Sequence, residues 1–122
     1  MTREQKDLLI KDLCGRLTHG VKCKILETNE VKILSSIQYD GENTLFDFWE
    51  DDQKIQYGHQ LYLSEFKPYL FPLSSMTEEQ LKEYMTIPHG YQTIDWFNKN
   101  HFDYRCLIEK GLSIDATDKN IY

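Results

Sequence analysis

The strongest constraint on the fold is a series of short segments within residues 21–57 in which apolar and polar residues alternate. Alternation of this kind is typical of strands with one buried face. Turn residues separate the segments at Asn29, Asp40-Gly41 and Asp51-Asp52. Loops of three, two and two residues would keep the apolar sets on one face, because a one-residue slip turns a strand over. We therefore predict an antiparallel meander whose buried face carries Val21, Cys23, Ile25, Val31, Ile33, Ile37, Phe46, Phe48, Ile55 and Tyr57.

Two helices are marked by the residues that precede them. Thr2 is followed three residues later by Gln5, and Thr77 by Gln80. This spacing is a capping box, in which each side chain accepts a hydrogen bond from the other residue's backbone N–H. After Thr2, apolar residues also recur at helical spacing. The sequence predicts one helix over residues 3–16 and another over residues 78–86.

Further short helices are expected after residue 86. Thr93 suits the start of a helix that packs through Ile94 and Phe97. Asp103 suits the N-cap of a second helix, "YRCLIEK", which would end at Gly111. The sequence thus places short helices at the C-terminal side of the strands.

The fold class that follows is α+β, with an N-terminal helix, a four- to five-stranded antiparallel meander and short C-terminal helices. Pro68 and Pro72 exclude a regular helix near them and favour an extended crossing, with a short strand near residues 60–63. We expect a single domain over residues 1–117 and a flexible tail over residues 118–122.

The charge of the chain limits its partners. A net charge of −6 opposes attraction of the whole surface to phosphate backbones or anionic membranes. Residues 1–39 nevertheless hold seven Lys/Arg against five Asp/Glu, which leaves room for a basic patch. Three cysteines without a paired motif favour a reducing compartment. With no signal peptide and no apolar run of roughly 18 residues, we expect a cytoplasmic protein without membrane contact.

The stretch "NHFDYRC", residues 100–106, has the most concentrated chemistry. His101, Asp103 and Cys106 are the residue types of a nucleophilic cysteine site, but such sites assemble from distant parts of a chain. A joint between two helices, capped by Asp103, is the simpler interpretation. Polar and aromatic groups at a joint can also form a recognition corner for a partner. The residues proposed for such a corner are Tyr69, His101, Asp103, Tyr104 and Arg105.

Two further chemistries stay open as alternatives. A metal-dependent nuclease would use Asp40, Asp52 and Lys54, but an acid two residues before a lysine is a short motif that chance supplies easily. A nucleic-acid platform would use the lysine-bearing sheet face, with basic groups on phosphates and an aromatic ring for stacking. That face carries Lys22, Lys24, Lys32 and Trp49. No histidine or cysteine spacing indicates a metal site, and no cofactor is expected.

The second half of the chain resembles small uncharacterised proteins of Bacteroides-type phages and mobile elements. The resemblance spans about residues 65–117 and rests on Lys67–Leu70, Ser74–Thr77 and His101–Leu112. Phe71 and Cys106 depart from the pattern, in which a basic residue and a glycine are expected. The resemblance implies a phage or mobile-element setting and supplies no catalytic residues. The leading hypothesis is a non-enzymatic accessory protein that binds a host or phage protein.

Overall fold

The structure is a computed structural model that describes residues 1–40, 43–50 and 54–122, with only the backbone described for Asp40. The fold is α+β, as predicted, with a first helix, a mostly antiparallel open sheet and later helices. The helices are α1 (Arg3–Arg16), α2 (Glu78–Thr86) and α3 (Tyr91–Lys99). The strands are β1 (Lys22–Ile25), β2 (Val31–Asp40), β3 (Asn43–Trp49), β4 (Phe66–Pro72), β5 (Phe102–Asp103) and β6 (Ile114–Asp115).

The two helices predicted from capping boxes have the predicted bounds. In α1 the Gln5 N–H donates to Thr2 Oγ1 at 3.1 Å, and in α2 the Gln80 N–H donates to Thr77 Oγ1 at 3.1 Å. Both boxes are complete, since each glutamine side chain also accepts from the backbone of its threonine. No helix in the described part of the chain is long and apolar enough to cross a membrane.

The later helices differ from the prediction. Helix α3 begins before Thr93, with Gly90 at its N-cap. Its most buried apolar side chain is Trp96, whereas Ile94, predicted to pack, is exposed. The helix predicted after Asp103 is absent, because the backbone there forms turns. Cys106 has a left-handed backbone, with φ of 60°, which a continuous α-helix does not accommodate.

The sheet has the order β3-β2-β1-β4-β5, with β6 also paired to β4. Strands β1 to β3 form the expected antiparallel meander, but the predicted strand at Ile55 and Tyr57 is reduced to an isolated bridge between Trp49 and Gln56. The extended crossing is instead a strand, β4, antiparallel to β1 and parallel to β5 and β6. Pro68 is tolerated because residues 66–68 pair with β1 alone, so the other side of β4 carries no ladder there.

The register of β2 differs from the prediction by one residue. Cys23 pairs with Lys32, and the Ile25 N–H donates to the Glu30 carbonyl at 2.8 Å, which leaves a four-residue loop instead of three. Asn29 has the expected left-handed backbone, with φ of 61°. Lys32 and Leu34 consequently face the core, whereas Val31 and Ile33 face outward.

A β-bulge between Leu34 and Ser36 then restores the predicted alternation. Beyond the bulge, Ile37 pairs with Phe46, which confirms the predicted match of odd and even positions in this hairpin. Asp40, predicted as the first residue of the turn, is instead the last residue of β2 and pairs with Asn43; Gly41 and the turn proposed at Asp51-Asp52 lie outside the described residues.

The core lies between α1 and the inner face of the sheet. Leu9 and Leu13 of α1 are buried against the apolar residues of the strands. Phe46 and Phe48 each place their ring 5.0 Å from the ring of Phe66 in an edge-on arrangement. Burial of these side chains is the main apolar contribution to stability, at roughly 1.5–3 kcal/mol each.

The segment predicted to be a flexible tail is docked at its last residue. The Tyr122 ring stacks on the His101 ring at 3.7 Å between centroids, and its hydroxyl bonds to the backbone of β1 and β4. The Tyr122 residue as a whole remains 39% exposed, and residues 117–120 are exposed as well. The last residue of the expected tail therefore contacts the domain through its ring and its hydroxyl.

Candidate functional site

Asp103 organises the turns that follow β5. Its two carboxylate oxygens accept from the backbone N–H groups of Leu107 and Ile108, each at 2.9 Å. Asp103 thus caps a run of turns, in the way it was expected to cap a helix. Because both oxygens are used in this way and Cys106 is exposed, Asp103 does not orient His101 for a nucleophilic cysteine.

A buried ion pair connects this segment to α1. Arg16 donates to both oxygens of Asp12, from Nε at 2.7 Å and from Nη2 at 3.2 Å, and both side chains are 0% exposed. The same Nη2 donates to the Phe102 carbonyl at 2.6 Å. Arg105 also approaches Asp12, with its Nε 3.7 Å from Oδ1.

His101 has an unusual setting at the end of α3. Its backbone is left-handed, with φ of 62°, and its carbonyl accepts from the Phe71 N–H at 2.8 Å. Burial, reinforced by the positive charges of Arg16, His19 and Lys22, lowers the pKa of the imidazole to about 4. The ring is therefore neutral at physiological pH and stacks on Tyr122 as an uncharged aromatic group.

The five residues proposed as a recognition corner do meet in one region, but they face inward. Tyr69 and Asp103 are buried, and His101, Tyr104 and Arg105 are half-buried. The Tyr104 ring centre lies 5.3 Å from the guanidinium carbon of Arg16 and 4.7 Å from that of Arg105. This arrangement holds α1 against the 101–108 segment and leaves little of it exposed for a partner.

One face of the sheet carries lysines, as predicted, but they are not the same set of lysines. Lys24 pairs with Lys67 across β1 and β4, and Lys22 lies two residues away on the same face of β1. Trp49 shares this face, since it pairs with Ile33, which in turn pairs with Lys22. Lysines 24 and 67 have no salt-bridge partner among the described residues.

Lys32 does not belong to this face, which corrects the prediction. The one-residue change of register turns it toward the core, where its side chain is 6% exposed. Its ammonium group binds Glu30 at 3.0 Å and Glu50 at 3.2 Å, and lies 5.2 Å from the Tyr57 ring centre. Two carboxylates neutralise it, so it is not available to a phosphate.

The α2–α3 region presents apolar side chains to solvent. Helix α2 has no buried residue, and contacts α3 through Tyr84, whose ring lies 5.8 Å from Trp96 and 5.4 Å from Phe97. Leu81 is 48% exposed and Met85 75% exposed, one helical turn apart. On α3, the side chains of Tyr91 and Ile94 are also exposed.

The nuclease hypothesis is not tested by the structure. Asp52 and the side chain of Asp40 lie outside the described residues, and Lys54 is exposed with a left-handed backbone. Within the described ranges, no group of three His, Cys, Asp or Glu side chains is placed to hold a metal ion.

Comparison with known protein families, with curated proteins and with solved structures finds no match to this chain.

Several of these features were missed at the sequence level. The Asp12–Arg16 pair has the i, i+4 spacing of a helical ion pair and could have been found from that signal. Lys67 could not be placed beside Lys24 without knowing that β4 adds to β1. Nothing in the sequence indicated that Tyr122 inserts its hydroxyl between two strands.

Proposed function

We propose that this protein is a non-enzymatic binding module of a phage or mobile element, which acts in the cytoplasm by contact with a host or phage protein. The resemblance of residues 65–117 supports the setting. The observation that carries the binding role is the exposure of Leu81 and Met85 on α2, a helix that buries none of its residues. Large exposed apolar side chains grouped on one element are typical of interaction sites.

Helix α2 contributes little to the core of the domain. A helix of nine residues without a buried face is marginal in water, because isolated helices need about 12–15 residues. Its attachment to α3 includes the Tyr84 ring and a hydrogen bond from Trp96 Nε1 to Glu83 Oε1 at 2.9 Å. These contacts leave Leu81 and Met85 free to bury against another molecule.

The charges around the apolar residues indicate the partner's chemistry. Glu78, Glu79 and Glu83 are exposed on α2, and Asp95 is exposed on α3, against Lys82 and Lys99. An apolar centre with an acidic rim fits a protein surface that has an apolar groove bordered by Lys or Arg. It does not fit a phosphate backbone.

Affinity capture with matched variants tests this proposal. Tagged wild-type protein, the double variant Leu81→Glu/Met85→Glu and the control Ile55→Glu are incubated with nuclease-treated host lysate. Ile55 is 54% exposed on another part of the surface, so the control places a glutamate carboxylate on an exposed apolar position away from α2. We expect one protein to be retained at near-equal stoichiometry by wild type and the control and lost from the double variant. Equal recovery by all three proteins would contradict the role of α2.

A second candidate function, binding of single-stranded nucleic acid, is favoured by the Lys24–Lys67 pair. Like charges directly opposite each other in a sheet destabilise it, so a pair that has no carboxylate partner in the described part of the chain suits an anionic ligand. Lys22 extends the basic row, and Trp49 offers a ring on the same face.

The salt dependence of binding to a labelled oligothymidylate tests the second candidate. Each phosphate neutralised on a single strand contributes about −0.7 to the slope of log K against log salt concentration, so three lysines predict a slope of about −2. The double variant Lys24→Gln/Lys67→Gln should reduce the slope by about 1.4, because two phosphate contacts are lost. Lys32→Gln is the matched control and should leave the slope unchanged. An undetectable affinity for the wild type at low salt would remove this candidate.

A further inference from the structure

The ladder of paired residues between β1 and β4 ends just before Lys22 and Tyr69. Its register pairs Cys23 with Pro68 and Lys24 with Lys67, and continuing it by one residue would place Lys22 opposite Tyr69. That pair does not form. Instead, the Lys22 N–H donates to the Tyr122 hydroxyl at 2.8 Å, and the hydroxyl donates to the Tyr69 carbonyl at 2.8 Å.

The hydroxyl of Tyr122 therefore takes the place of a direct bond between the strands. One phenol group accepts one hydrogen bond and donates another, which matches the free N–H and the free carbonyl. Removal of the hydroxyl from water raises the pKa of Tyr122, so it remains protonated and able to donate. Without the phenol, two backbone groups would lose their partner at the edge of the core.

The side chains around the gap between β1 and β4 also contact the Tyr122 ring. The imidazole of His101 lies parallel to the Tyr122 ring, with 12° between the planes and 3.7 Å between centroids. The Phe71 ring lies 5.7 Å away on another side. Lys22, Tyr69, Phe71 and His101 all belong to the folded domain and not to the segment that carries the phenol.

The connection to Tyr122 makes few contacts of its own. Residues 117–120 are exposed, and the hydrogen bonds found for them in the described part of the chain are local: the Thr117 N–H donates to Asp115 Oδ1 at 2.8 Å, and the Lys119 N–H donates to the Ala116 carbonyl at 3.2 Å. Segments with few buried contacts open at low free-energy cost. The phenol is thus held mainly by the gap itself.

We propose that the gap between β1 and β4, lined by Lys22, Tyr69 and His101, is a binding site for a phenolic ring, and that Tyr122 is its exchangeable intramolecular ligand. The site selects a phenol over other aromatic groups because both a donor and an acceptor face the hydroxyl. Occupancy by Tyr122 also fixes the Lys22 ammonium, which donates to the carbonyl of the neighbouring Ile121 at 2.8 Å. The site therefore controls one lysine of the basic sheet face.

Chemical rescue of Tyr122→Ala tests the site. Thermal unfolding of this variant is followed with increasing p-cresol, with toluene as the ligand that lacks a hydroxyl and Tyr62→Ala as the protein control. Tyr62 is 51% exposed and lines a different surface cleft, beside Arg3 and Lys6, so its removal does not open the gap between β1 and β4. We expect p-cresol to raise the Tm of Tyr122→Ala saturably, and to leave wild type and Tyr62→Ala unchanged. No increase, or the same increase with toluene, would overturn the proposal.

A second variant keeps the proposal testable if Tyr122→Ala does not fold. Tyr122→Phe retains the ring and removes only the hydroxyl, so the Lys22 amide should exchange its hydrogen at least tenfold faster, with the Leu34 amide as an unaffected reference. Unchanged protection of Lys22 would overturn the assignment. A concentration-dependent dimer that Tyr122→Ala converts to a monomer would show that the ring comes from a second copy, and would overturn the intramolecular part.

Discussion

The buried pair Asp12–Arg16 is the contact whose removal should cost most. Both side chains are 0% exposed, and Arg16 donates to both carboxylate oxygens. In Asp12→Ala, the guanidinium stays buried with the Phe102 carbonyl as its main remaining acceptor. Breaking a buried pair on one side costs about 3–5 kcal/mol, which is a large part of the roughly 5–15 kcal/mol that stabilises a domain. We expect the free energy of unfolding to fall by that amount.

Urea unfolding followed by tryptophan fluorescence measures this loss. Trp96 stacks on Phe102 with 5.5 Å between ring centres, so its emission reports on the contact between α3 and the strand residue whose carbonyl binds Arg16. The double variant Asp12→Leu/Arg16→Met replaces both charges with apolar groups of similar size, and should be within about 1 kcal/mol of wild type or more stable. A loss below about 1 kcal/mol in Asp12→Ala with an unchanged m-value would refute the claim that the pair is sealed from water.

The remaining predictions concern single residues of the same region. Arg105→Ala should cost about 1–2 kcal/mol in urea unfolding, because its largely buried guanidinium loses the contact with the Tyr104 ring at 4.7 Å, whereas its 3.7 Å approach to Asp12 is long and Asp12 keeps Arg16 as its main partner; a loss above about 4 kcal/mol, or none, would contradict this. Tyr104→Phe should leave the free energy of unfolding in urea unchanged or raise it by up to about 1–2 kcal/mol, since its buried hydroxyl has no hydrogen-bond partner among the described residues and phenylalanine removes the cost of keeping it from water; a loss of stability above about 0.5 kcal/mol would contradict this. The folded-state pKa of His101, about 4, lies below its ordinary value, so the unfolded chain binds the proton first as pH falls. Up to roughly 3 kcal/mol of stability should be lost between pH 6.5 and pH 4. His101→Asn, which tolerates the left-handed backbone, should flatten that part of the pH profile measured by urea unfolding; an unchanged profile would assign the loss to other groups.

Local signals predicted the helices well because their determinants are adjacent in sequence. The capping boxes at Thr2 and Thr77 fixed the first turns of α1 and α2, and the structure reproduces both bounds. The box at Thr77 operates even though α2 buries nothing, since its bonds form within four residues. Capping therefore predicted where α2 begins and said nothing about its exposure.

The strands were harder because register depends on single residues in loops. One extra loop residue before Glu30 turned Lys32 inward, and the bulge before Ser36 reversed the effect, so alternation predicted the face of Ile37 and not that of Val31. Neither event leaves a signal in the hydrophobic pattern. The order of β4 beside β1 is a long-range choice, and it decides that Lys67 and not Lys32 accompanies Lys24.

The sequence identified which residues of the candidate site lie near one another, but not that they would be buried or half-buried. The residues of the "NHFDYRC" stretch do converge with Tyr69, but the partners that bury them, Asp12, Arg16 and Tyr122, lie far away in the sequence. The exposure of Leu81 and Met85 could not be inferred, because apolar residues at this helical spacing are equally typical of a helix that buries one face.

The affinity of the purified partner for Leu81→Ala/Met85→Ala is the measurement that tests the binding module most directly. Titration calorimetry compares this variant with wild type and with Ile55→Ala, which removes an equally exposed apolar side chain elsewhere. Truncation of central interface residues costs about 2 kcal/mol or more, so the account predicts a Kd at least about 30-fold higher for the α2 variant and unchanged for the control. A Kd within about twofold of wild type would show that α2 is not the surface through which this protein acts.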